Sequence, residues 1–149
     1  IFKALNLDEN EIDINKTYKK CKVVFEFINS KKGEFFLKAF KRVLNILESE
    51  DKLIQEIKES RVNPELLKSK QEKDLFITFK KCNQQNFDHN ELTKALISLS
   101  KPINLFFEKV QINDKNLLLK INRLCLLSNI KNYVVREIDF SKIIKGKEL

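Results

Sequence analysis

Cys21, Cys82, Cys125 and His89 are the side chains of this 149-residue sequence where covalent or metal chemistry would first be sought. The three cysteines are odd in number and far apart, and neither they nor His89 has a Cys or His partner at metal-binding spacing. No nucleophile stands beside a base, and no glycine-rich loop is present to cradle a phosphate. Each cysteine falls among apolar neighbours in a helical pattern, so buried free thiols in a reducing compartment are expected. His89 is expected in the exposed first turn of a helix. The chemistry on offer is instead that of cations and amides. In "KAFKRVLN" one polar helix face carries Lys38, Lys41, Arg42 and Asn45, opposite an apolar stripe that must face a core. That polar set is the candidate ligand-contacting face.

Charge is distributed to match. Residues 16–42 carry nine bases against two acids, a net +7, and residues 101–149 carry ten against five, a net +5. The middle, 43–100, is near neutral, and the first fifteen residues are acidic. Two basic blocks packed side by side would give one positive face suited to phosphates.

These groups need helices to position them. Two glycines and two prolines remove most turn chemistry and argue against a β-sandwich or barrel, so the expected fold class is all-α. The size fits one domain, 1–149, folded as a bundle of five or six helices. A start at Ile1 rather than Met leads us to expect a fragment of a longer chain. No apolar run approaches the ~18 residues of a membrane span, and the N-terminus has no signal-peptide pattern.

Apolar spacing predicts a helix over 15–29, with Tyr18, Cys21, Val24, Phe25 and Ile28 on one stripe. A break at "NSKKGE" follows, with Gly33 left-handed, then a helix from about Glu34 carrying Phe36, Phe40, Leu44 and Leu47. Asn63 and Pro64 mark a cap. Helices are then expected over 70–84 and after Asp88. A short one opens at Ser100 and Pro102, and a long one, capped by Asp114, covers 115–138. The double phenylalanine Phe106–Phe107 is expected to pack rather than stack on bases. Phe40, Leu44, Phe106, Phe107, Leu118 and Leu124 are the expected core.

Two quoted stretches carry a family resemblance. "KPINLFFEKVQINDKNLLLKINRLCLLSNIKNYVVREIDFSKI" resembles the C-terminal end of the β subunit of bacterial-type, two-subunit glycyl-tRNA synthetase. There a proline-led helix ends in "FFD", followed by "V-x-V", an "N-R-L-x-L-L" helix and a "DFS"-like turn. The matching positions here are Pro102, Phe106-Phe107-Glu108, Val110 and Ile112, Asn122-Arg123-Leu124 with Leu126-Leu127, and Asp139-Phe140-Ser141. Upstream, Ala39 to Leu47 is similar to the family's "AF-K-R-V-x-N-I-L" helix. Glu108 replaces the usual Asp, Ile112 stands where Val is commoner, and the segment 48–101 aligns in helical pattern with few identities.

The resemblance implies a DALR-like, helical anticodon-binding domain similar to that of arginyl-tRNA synthetase. It would serve a reaction that joins glycine to its tRNA at the expense of ATP. The catalytic core and the ATP site would lie on the α subunit, so the chain itself would need no cofactor. Implied partners are the anticodon loop of glycine tRNA, the α subunit and the remainder of β, in a bacterial cytoplasm or a plastid. Glycine anticodons carry C at their second and third positions, and single-stranded bases can be splayed and read on their edges. The motif residues Arg42, Asn45, Asn122 and Arg123 would then contact bases, with Lys38, Lys41 and Lys120 on the phosphate backbone. Asn122 and Arg123 sit among leucines, so a structural role, such as pairing with a carboxylate like Asp139, stands beside the base-reading one. A protein-docking module within the synthetase is the alternative function.

Overall fold

Ser30 decides where the first two helices meet. Its hydroxyl donates to the Phe27 carbonyl at 2.7 Å and accepts from the Gly33 N–H at 3.0 Å, so one side chain ends α1 (Ile14–Ile28) and caps α2 (Lys31–Ser49). The computed structural model describes residues 14–57 and 61–140. Gly33, expected as the left-handed residue of a break, lies inside the first turn of α2. Close approach is what requires glycine there: a Cβ would sit 1.8 Å from the Phe27 carbonyl oxygen.

α3 (Asp51–Glu56) follows directly, and a 3-10 turn (Pro64–Leu66) is capped by the Asn63 side chain as expected. α4 (Lys70–Asn83) and α5 (His89–Lys109) each start with a complete capping box, Ser69 with Glu72 and Asp88 with Glu91. α6 (Leu117–Glu137) completes a bundle with no strand among the described residues, so the protein is all-α.

Two boundaries differ from expectation. Pro102 does not open a separate helix but lies within α5. Leu96, Leu99, Ile103 and Phe106, each fully buried, continue one stripe across the proline, and this packing outweighs the roughly 3 kcal/mol cost of a mid-helix proline. At α6 the cap is Asn116, whose side chain accepts from the Leu118 and Leu119 N–H groups. Asp114 turns the chain one step earlier by accepting from the Asn116 N–H.

α5 packs against α1, α2 and α4, while α6 packs against α2, α3 and α4. Phe27, Phe36, Phe40 and Phe140 form an aromatic knot with ring centroids 5.6 to 6.5 Å apart. Phe140 of the "DFS" turn thereby locks the end of the described chain into the core; Ser141 lies outside the described residues. Of the expected core, Phe40, Phe106 and Leu124 are fully buried, whereas Leu44 and Phe107 are half-buried. Leu118 is 63% exposed, because α6 is enclosed all round only from Asn122 to Leu127 and its first turn precedes that sleeve. Tyr18 and Phe25 are exposed too: α1 turns Val24, Phe27 and Ile28 inward and leaves the other edge of its stripe outside.

Candidate nucleic-acid interface

The polar face of α2 is held outward by the stripe behind it, in which Phe36, Phe40, Val43 and Leu47 are buried. Lys38 is exposed and makes a one-turn ion pair with Glu34 at 2.7 Å. Such exposed pairs hold weakly, so the ammonium can exchange its carboxylate for a phosphate. Lys41 is half-buried, while Arg42 and Asn45 are exposed.

Arg42 is not a loose side chain. Its guanidinium carbon lies over the Phe107 ring, 4.6 Å from the centroid, and its Nη1 donates to Asn104 Oδ1 at 3.4 Å. The two phenylalanines therefore have different jobs. Adjacent helical residues point about 100° apart, so only one can reach the centre of a core. Phe106 is fully buried, and Phe107 stands edge-on to it at 5.8 Å and carries Arg42 on its face. Arg42, Asn45, Ile46, Ser49 and Phe107 line one surface groove of about 370 Å³ between α2 and α5. Asn104 and Ser49 were not singled out in the sequence, and Phe107 was expected only to pack in the core; the adjacent Phe pair was the available signal.

Asn122 and Arg123 point the other way. Asn122 Oδ1 accepts from the Asn63 N–H at 2.7 Å, and its Nδ2 donates to the Asn63 carbonyl at 3.0 Å, so it pins the chain ahead of the 3-10 turn to α6. Arg123 donates from Nε to Glu72 Oε1 at 2.7 Å and from Nη1 to the Gln111 carbonyl and Asp114 Oδ2, each at 2.8 Å. Its carboxylate partners are thus Glu72 and Asp114 rather than Asp139. Glu72, with no exposed surface, spends its other oxygen on the Lys68 and Ser69 N–H groups. Burial pushes the Glu72 carboxyl up, but the Arg123 hydrogen bond and the contacts at Ser69 outweigh it and hold the group below the ordinary value. The Asn116 N–H and Arg123 likewise lower Asp114. Lys120 is tied to Glu50 at 2.9 Å with its side chain mostly covered.

Within the second basic block Lys120 and Arg123 are thus spent inside the chain, whereas Lys101, Lys109 and Lys115 are exposed. The face of α2 points outward, and Lys16, Lys19 and Lys22 on α1 are exposed as well. Cys82 and Cys125 are buried and Cys21 is half-buried; all three are free thiols. Burial raises Cys82 and Cys125, which keeps them protonated and unreactive. His89 opens α5 but is half-buried rather than exposed. Among the described residues no group of three or more His, Cys, Asp or Glu could hold a metal, and no helix is long and apolar enough to cross a membrane. A second groove, beside α4 and α5, mixes Lys81 and Lys94 with Glu91 around Cys82, a poor match to a polyanion.

The chain is 32% identical over 117 residues to the glycine–tRNA ligase beta subunit of Buchnera aphidicola subsp. Schizaphis graminum, covering 74% of this chain and 16% of that protein. The same-named subunit of Rickettsia prowazekii is 36% identical over 129 residues, 83% of this chain and 18% of the relative. That of Dinoroseobacter shibae is 28% identical over 141 residues, 91% of this chain and 20% of the relative. The chain thus spans a fifth or less of the length of these curated relatives. Residues 36–137, which run from the buried Phe36 to the last turn of α6 and include both the Arg42 groove and the Arg123 knot, match the DALR anticodon binding domain family, and the chain belongs to it.

Proposed function

We propose that this chain is the anticodon-binding part of a glycyl-tRNA synthetase β subunit, holding glycine tRNA while the catalytic core on the α subunit attaches glycine. The observation that carries this reading is the outward face of α2, where exposed Lys38, Arg42 and Asn45 lie beside Lys41 in the family-matched segment. Lys38 and Lys41 supply sequence-independent attraction to phosphates, and Arg42 and Asn45 contact splayed anticodon bases. Asn122, Arg123 and Lys120 act indirectly, by fixing α6 against the rest of the bundle. The site of action would be where translation occurs, in the bacterial cytoplasm.

The test is binding of the 149-residue chain to glycine tRNA and to the same tRNA with both anticodon cytosines changed. Tighter binding of the unchanged tRNA is expected, and equal affinities would sink the reading. A docking role on other parts of the synthetase is favoured by the exposed Ile14, Tyr18 and Phe25 of α1. Tight tRNA binding by the isolated monomer would show that docking is not what the α2 face is for.

A further inference from the structure

We infer that the groove between α2 and α5 is a subsite for one unpaired nucleobase, stacked flat on the Arg42 guanidinium with Phe107 as the plate beneath. This rests on the anticodon-binding reading and specifies how one base is held. Arg42 already lies over the Phe107 ring at 4.6 Å and is steadied by Asn104, so its rotamer freedom is partly spent before any ligand arrives. A guanidinium is planar and weakly hydrated, and an aromatic base is the partner that can cover its remaining exposed side. A phosphate would instead seek the edge of the fork, where Nη1 is engaged with Asn104. The groove, at about 370 Å³ and open to solvent, suits a single base rather than a duplex.

The groove's polar lining adds a preference. Ser49 donates its hydroxyl proton to the Ile46 carbonyl at 2.9 Å, which leaves the oxygen only lone pairs to offer. The Asn45 amide makes no hydrogen bond among the described residues and offers both a donor and an acceptor. A cytosine edge presents an amino donor beside ring acceptors. Uracil presents a carbonyl acceptor where cytosine has its amino group. An acceptor-only Ser49 therefore favours cytosine, while Asn45 follows either base. Ser49 and Phe107 become specificity and positioning residues for the same interface.

The experiment uses glycine tRNA carrying the fluorescent analogue pyrrolocytosine at the second or the third anticodon position, and measures both affinity and stacking-induced quenching. With the wild-type chain, binding should quench one of the two labelled positions. Arg42→Lys keeps the charge but removes the plane, and Phe107→Leu keeps the apolar bulk but removes the plate. Both should abolish most of the quench and weaken glycine tRNA about tenfold, with the dependence on salt retained. Ser49→Ala should keep the quench and narrow the preference for cytosine over uracil at that position. Quenching that survives both Arg42→Lys and Phe107→Leu would overturn the subsite while leaving anticodon binding intact. An unchanged preference in Ser49→Ala would overturn the assignment to Ser49. If Phe107→Leu lowers the melting temperature, the exposed Arg42→Lys decides by itself. A wild-type chain that binds glycine tRNA and its anticodon-swapped control equally would overturn the anticodon reading, and the subsite with it.

Discussion

Arg123 and Glu72 form a buried ion pair that ties α6 to the start of α4. Glu72 has no exposed surface, and both of its oxygens have donors. Removing Arg123 as Arg123→Met would strand a buried carboxylate and should cost about 3–5 kcal/mol of stability, measured by urea unfolding. The Glu72 carboxyl is held below its ordinary value of 4.5. Its contribution is therefore present above that unfolded-state value and is lost as pH falls through the lower folded one. Glu72→Gln should start less stable near neutral pH and lose less on acidification than the wild type. A parallel acid profile in the two proteins would mean the pair does not set the acid limb. Phe106, fully buried, should cost about 3–5 kcal/mol as Phe106→Ala. A loss below about 1 kcal/mol would place its ring at the surface and reopen stacking for it.

Helix ends in this bundle are set by side-chain caps and close contacts. The junction of α1 and α2 is tight, because the Phe27 carbonyl accepts from both the Ser30 N–H, at 3.0 Å, and the Ser30 hydroxyl. Ala is better than Gly in a helix by about 1 kcal/mol, so propensity alone would make Gly33→Ala stabilising. The clash of its Cβ with a backbone carbonyl opposes this, and backbone cannot swing away as a flexible side chain can. The clash should win, and Gly33→Ala should lower the melting temperature by several degrees or more. A rise would show that the junction can open cheaply. α5 makes the complementary point. Local rules end a helix at Pro102, yet the buried stripe on either side of it carries the helix through to Lys109.

At the scale of the whole molecule, the formal net charge is +8, and internal pairs such as Arg123 with Glu72 leave it unchanged because they remove one charge of each sign. Each phosphate contact on single-stranded RNA contributes about −0.7 to the slope of log K against log salt. A chain touching three to five phosphates should show a slope of about −2 to −3.5 by this arithmetic. Lys41→Ala should lower its magnitude by about 0.7 and weaken all tRNAs alike. Lys120→Ala should chiefly lower the melting temperature, because Lys120 is held by Glu50. A slope near zero for the wild type would favour protein docking over RNA binding. The sequence alone determined the features that act over one helical turn: helices at 3.6-residue spacing, the caps at Asn63 and Asp88, and an α2 that must turn Lys38, Arg42 and Asn45 away from its apolar stripe. Tertiary structure alone decided which member of a local pattern faces inward. Asn122 and Arg123, which sit among leucines in the sequence, could be base-reading or structural until α6 is seen to be enclosed from Asn122 to Leu127. Their partners, Asn63 and Glu72, lie 59 and 51 residues away, a separation that no spacing of three or four residues can report. The same holds for Arg42 and Phe107, because a cation reaches that ring only once α2 and α5 are packed.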